Sequence, residues 1–133
     1  MKTYTEYLWF NTENVREDIN ITRQVKEILK KSQIQEGLLV ISTMHVSAGV
    51  YIDDYEPDVK EGHNAIQKNS AIHKDQADNE IEQDKHQRNI NENQHIVIPI
   101  TYEKMDLGLW QQIFYAEFDG QRKKKIVIKV IGE

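Results

Sequence analysis

Apolar and polar residues alternate along KTYTEYLWF, residues 2–10, with Tyr4, Glu6 and Leu8 on one side and Thr5, Tyr7 and Trp9 on the other. A period of two in aromatic and β-branched residues predicts a strand. The period then lengthens. In INITRQVKEILKKSQIQEG, Val25, Ile28 and Leu29 recur at helical spacing. Thr22 stands where an N-cap belongs, Lys30 and Lys31 fall in the last turn, and Gly37 is placed to end the helix. GLLVISTMH and HIVIPIT are short β-branched runs that predict strands with little exposure. IFYAEFDG and KKKIVIKVIG predict two more, on either side of an Asp119-Gly120 turn. Residues 57–67, anchored by Val59 and Ile66, predict a second helix. Trp110 and Phe118 lie in strand patterns and are expected in the core. Lys123 to Lys125 are expected in a solvated turn that protects a strand edge.

These elements predict an α+β fold: one domain over residues 1–133, a mostly antiparallel curved sheet, and the helix after Ile21 packed on one face. A chain of 133 residues is long enough for one sizeable core. The stretch between residues 67 and 94 has few apolar residues and no period, so it reads as either an active-site element or a linker.

Charge and composition narrow the function. A formal net charge of −5 argues against nucleic acid and anionic membranes as partners. There is no cysteine, which excludes disulfides and thiolate metal sites, so any metal must use nitrogen and oxygen. MKTYTEYLWFNT is too polar for a signal peptide, and no segment approaches the roughly 20 apolar residues of a membrane span. The default expectation is a cytoplasmic protein.

His45 ends the run Leu38 to Thr43, and Asp53 and Asp54 follow eight residues on. One histidine at a strand end is either a ligand or a hydrogen-bonded structural residue, and the pattern leaves both readings open. Alternation places it on the side of Thr43 and Ile41. His73 and His86 lie in the polar stretch, at separations that match no short zinc motif.

The order of INIT at 19–22, HVSA at 45–48, DD at 53–54, AIH at 71–73, EQDKH at 82–86, LGLWQ at 107–111 and EFDGQR at 117–122 resembles the YjbQ family, often called the secondary thiamine-phosphate synthase family. The family's phrases are D-I-T, H-T-T-A, N-E, Y-x-H, N-x-D-x-H, L-G-T-W-Q and E-F-D-G-P-R. The resemblance covers most of the chain, and its most specific part is L-G-x-W-Q followed six residues later by E-F-D-G. It keeps three histidines, Asp84, Trp110, Gln111, Glu117 and Arg122. Val46 and Ser47 stand for two threonines, Asp53 and Asp54 for Asn-Glu, Ala71 for a tyrosine, Glu82 for an asparagine and Leu109 for a threonine. These changes remove hydroxyls and add acids, which predicts a more acidic pocket.

The resemblance implies a compact homotrimer and a site in which His45, His73 and His86 hold a divalent metal ion, zinc above all, with magnesium or manganese as alternatives. Protonated, the same imidazoles would hold a phosphate. Asp54, Asp84 and Arg122 are the expected catalytic residues, and Ser47, Asp53, Gln111 and Arg122 the expected substrate contacts. Asp84 precedes His86 by two residues and would face the same side of an extended segment. Arg122 would take a phosphate or carboxylate through a two-pronged contact. The implied reaction acts on a small phosphorylated metabolite, as in joining a pyrimidine diphosphate to a thiazole phosphate with loss of pyrophosphate. The alternative is a non-catalytic protein that binds a metal or small anion in the same fold. His63 and His95 match no motif position and are given no function.

Overall fold

The computed structural model describes residues 1–55 and 94–133. The expected second helix over 57–67 and the residues His63, His73, Asp84 and His86 lie outside the described residues. Eight strands and one helix make up the rest: β1 (Lys2–Phe10), β2 (Glu17–Asn20), α1 (Thr22–Ser32), β3 (Gly37–Thr43), β4 (Ala48–Asp54), β5 (His95–Thr101), β6 (Lys104–Met105), β7 (Gln111–Glu117) and β8 (Lys124–Gly132). They form a five-stranded sheet in the order β1-β8-β3-β5-β6 and a three-stranded sheet in the order β2-β7-β4. Every pairing among them is antiparallel. The expected single domain, with a curled antiparallel sheet and one packed helix, is present.

The core follows from alternation. Leu39 and Ile41 of β3, Ile98 and Ile100 of β5, and Ile126, Ile128 and Val130 of β8 turn inward from the larger sheet. Val50, Ile113 and Tyr115 meet them from the smaller one, and Val25, Ile28 and Leu29 of α1 close the layer. β1 shows the expected alternation, with Tyr4, Glu6, Leu8 and Phe10 half-buried and the residues between them exposed.

Several expectations need correction. Thr22 is the first residue of α1, not its cap: Asn20 Oδ1 accepts the Thr22 N–H at 3.0 Å, while Thr22 Oγ1 accepts the Ile113 N–H at 2.7 Å and so pins the helix to β7. The helix ends at Gln33 in the left-handed region (φ 58°), its N–H donating to the Lys30 carbonyl. Gly37 instead opens β3, opposite Gly132, where a side chain on either residue would run into the other strand's backbone. The Asp119-Gly120 turn joins no hairpin, because β7 and β8 belong to different sheets. Its backbone docks on the segment after β1, through Gly120 N–H to the Val15 carbonyl and Gln121 N–H to the Thr12 carbonyl.

Trp110 and Phe118 flank β7 at half-buried positions, while Phe10 and Tyr115 supply the core's ring stack, with centroids 4.1 Å apart. Leu38 points outward and is 48% exposed, so the run that leads to His45 is buried only on alternate residues. Lys123 and Lys125 do face solvent, over the rings of Trp9 and Tyr7, but Lys124 between them is buried.

Because Thr22 Oγ1 is the acceptor for a buried strand N–H, Thr22→Val should leave that N–H unpaired and cost about 1–3 kcal/mol. Urea unfolding of the two proteins checks this, and an unchanged midpoint would remove the hydroxyl from the fold's framework.

Candidate functional site

Two ends of the fold carry the residues singled out by sequence. At one end β3 stops at Thr43, and the turn through residues 44–47 leads into β4. Ala48 pairs with Glu117, the last residue of β7, and Thr43 with Ile126, near the start of β8. Here the smaller sheet meets the larger. Tyr115, Glu117 and the preceding inward residue Ile113 share one parity along β7, and Lys124 shares the parity of Ile126, Ile128 and Val130 along β8. Alternation therefore drives a carboxylate and an ammonium into the same interior.

They meet as an ion pair, Lys124 Nζ to Glu117 Oε2, at 2.5 Å. Glu117 is 1% exposed and Lys124 2%. Buried charges of this kind require further hydrogen bonds. Glu117 Oε1 accepts the Tyr115 hydroxyl at 2.9 Å, and Oε2 also accepts the Asp119 N–H at 3.2 Å. Lys124 Nζ also donates to Ser47 Oγ at 2.7 Å. An ammonium has three protons, and the third of Lys124 has no partner among the described residues. Burial first, and then the hydrogen bond to the Glu117 carboxylate, push the Tyr115 phenol far above its ordinary range.

His45 lies in the turn, half-buried, and alternation does not carry past Thr43 to orient it. Its Nε2 accepts the Lys125 N–H at 3.4 Å. The imidazole thus takes the place of a strand acceptor where β3 has ended. Arg122 is exposed on the nearby crossover and forms an ion pair with Asp119.

Asp53, Asp54 and Gln111 lie elsewhere. Asp54 pairs with Gln111 and Asp53 with Gln112 at the start of β7, about 20 Å along the strand from Glu117. Both aspartates are exposed, and Asp54 N–H donates to Asp53 Oδ1 at 2.8 Å. Gln111 Oε1 accepts the Gly108 N–H at 2.7 Å. Within one chain, the expected approach of Asp54 to His45 does not occur. Among the described residues the buried charged groups at the His45 end are one carboxylate and one ammonium, and Glu82, which the expected acidity of the pocket also invokes, lies outside the described residues. Among the described residues no three of His, Asp and Glu gather in a metal-binding group. Sequence reasoning missed Lys124, although its parity with Ile126 and Ile128 marked it as inward.

Removing one member of the buried pair strands the other charge. Glu117→Leu should cost about 3–5 kcal/mol, whereas Glu117→Leu with Lys124→Met should cost less than the single change. Denaturant unfolding of the single and double variants checks this, and simple additivity would show that the two charges act independently.

The sequence pattern of the YjbQ family, described as UPF0047 protein YjbQ-like, matches residues 6–133. A UPF0047 protein of Methanothermobacter thermautotrophicus is 30% identical over 149 aligned positions, covering 100% of this chain and 95% of that relative. UPF0047 protein YugU of Bacillus subtilis is 29% identical, over 87% of this chain and 90% of its own. Among solved structures, a YbjQ-like protein of unknown function from Sulfolobus solfataricus P2 superposes with a TM-score of 0.72 at 27% identity, covering 99% of both chains. A conserved protein of the yjbq/upf0047 family from Clostridium acetobutylicum gives 0.70 at 28% identity, over 95% of this chain and 99% of its own. Sequence pattern, relatives and fold agree along nearly the whole length, and the chain belongs to the YjbQ (UPF0047) family.

Proposed function

We propose that this protein is a metal-dependent enzyme acting on a small phosphorylated metabolite, with its site at the end of the fold where His45 and Ser47 meet Glu117 and Lys124. The observation that supports this most is the buried Lys124 ammonium, held by Glu117 and Ser47 with one proton left without a partner among the described residues. A fixed, desolvated cation of this kind stabilises a phosphate oxygen far better than a mobile surface lysine. Ser47 would donate its hydroxyl proton to a second oxygen. Arg122 would exchange Asp119 for the same anion, because an exposed ion pair costs little to open.

The described residues supply one imidazole toward a metal. The bond to His45 Nε2 is long, at 3.4 Å, so a cation could displace the Lys125 N–H at small cost. Zinc, magnesium or manganese would be held by His45 with His73 and His86, and would polarise a phosphoryl oxygen. Gln94 resumes the described chain beside Thr43, its carbonyl accepting the Thr43 N–H at 2.7 Å. Asp84 would accept an imidazole N–H. Asp53 and Asp54 keep their proposed roles only through a second copy of the chain.

Assembly as a homotrimer is part of the proposal. Its support is the outer face of the larger sheet, where Tyr7 and Trp9 of β1, Leu38 of β3 and Val97 of β5 are between 46% and 55% exposed. Sedimentation should give the mass of three chains, and a monomer at micromolar concentration would count against it.

A second reading, a non-catalytic anion-binding protein, is favoured by Lys124 and Ser47, whose ammonium and hydroxyl are donors suited to a phosphate. Calorimetry separates the readings. His45→Ala, His73→Ala and His86→Ala should each abolish tight zinc binding with the circular dichroism spectrum unchanged, and His63→Ala should alter neither. Unchanged zinc binding in two of the first three would overturn the metal site. If no thiamine phosphate forms from the pyrimidine and thiazole precursors with any of the three metals, beside an authentic synthase run in parallel, that substrate pair is excluded.

A further inference from the structure

At the opposite end of β7 and β8 lies a cleft of about 940 Å³, within the size range of small-molecule sites. Its walls are the last two turns of α1, the β5–β6 hairpin and the loop that begins at Leu107. Among the described residues four lysines line it, Lys2, Lys26, Lys30 and Lys104, against one carboxylate, Glu103. That balance runs opposite to the chain's net charge of −5. Lys30 lies in the last turn of α1, where the helix dipole favours cations, but Lys2, Lys26 and Lys104 have no such reason to be there.

The floor is apolar. Leu29 and Ile34 are 5% and 1% exposed, and Met105 and Leu107 pack on the core beside them. Tyr102 stands at the rim and is 81% exposed. It is held there by an unusual turn. β5 and β6 are joined by two residues, Tyr102 and Glu103, both at positive φ (50° and 68°), a geometry that asparagine and glycine fill with less strain. The turn is fixed from outside, Tyr102 N–H donating to Glu36 Oε1 and Glu103 N–H to the Gln35 carbonyl. A large aromatic ring in an externally clamped turn beside a basic cleft is an arrangement suited to presenting a stacking face to a flat ligand.

We infer that this cleft binds an organic phosphate that carries a flat ring, the lysines taking the phosphate and Tyr102 with Met105 and Leu107 taking the ring. Phosphate fits better than carboxylate. Among the described residues no arginine lines the cleft to provide a fork for one carboxylate, and several lysine point charges match a multiply charged anion. The site is separate from the one proposed around His45, about 20 Å away along β7, and does not depend on it.

The test uses 1-naphthyl phosphate as probe, with inorganic phosphate and 1-naphthol as its two halves, by calorimetry on the whole protein. The expected result is binding of the probe at least tenfold tighter than either half, weakening as salt rises. Lys26→Gln with Lys30→Gln should weaken it tenfold or more, and Tyr102→Ala should weaken the probe but not inorganic phosphate. All three residues are exposed, so the variants should keep their unfolding midpoints near that of the parent chain. The component of probe binding that the paired lysine variant removes should persist in His45→Ala. No binding up to millimolar probe, equal binding by the lysine variant, or loss of that component in His45→Ala would each overturn the cleft as a separate site.

Discussion

The corner between the two sheets depends on one buried pair of charges. Glu117 closes β7 and Lys124 opens β8, so the ion pair spans the place where the chain passes from the smaller sheet to the larger. Neither group could be buried alone, since an unpaired charge in a core costs several kcal/mol. Each needs the other, and both need Tyr115, Ser47 and the Asp119 N–H to complete their coordination. The requirement sets the loop between them. Residues 118–123 must return Lys124 to Glu117 within six positions, and they do so by leaning on the segment after β1 through Gly120 and Gln121. A neutral apolar corner would hold the sheets together as well. The charged one adds polar groups in a desolvated setting, which is why the same corner is where ligand chemistry is proposed.

Much of the fold was legible because its elements carry their own period. β1 alternates over nine residues, and α1 places Val25, Ile28 and Leu29 on one face, so local sequence and burial agree. What failed were assignments that need knowledge of a distant strand. Thr22 has the chemistry of a cap, yet its hydroxyl serves Ile113, ninety-one positions away. Gly37 looks like a helix stop, yet it is glycine because Gly132 passes opposite. Asp119-Gly120 has the composition of a hairpin turn, and nothing local reveals that the strands on either side join different sheets.

The candidate site was legible in part for a related reason. Motif order along the chain identifies the family but not which motifs become neighbours. His45, Ser47 and Arg122 fall near one end of the fold, while Asp53, Asp54 and Gln111 fall at the other, a division set by the register of β4 on β7. Lys124 was hidden inside a run of three lysines that reads as solvent-facing. Its parity with Ile126, Ile128 and Val130 was the better guide, because in a strand the position decides the environment before the side chain does.

The strand order also bears on how the molecule forms. β8 lies between β1 and β3, and its register joins Lys2 to Gly132. One side of the larger sheet is therefore made by pairing two segments from nearly opposite ends of the sequence, a closure that costs chain entropy before any contact offsets it. Until β8 arrives, β1 and β3 have no common neighbour, and their edges stand open. High contact order of this kind slows folding and prolongs the time during which unpaired strands can meet the wrong partner. Lys125 and Lys129 on β8 put charge on the side of that strand that faces outward, which would discourage such encounters while the sheet is incomplete.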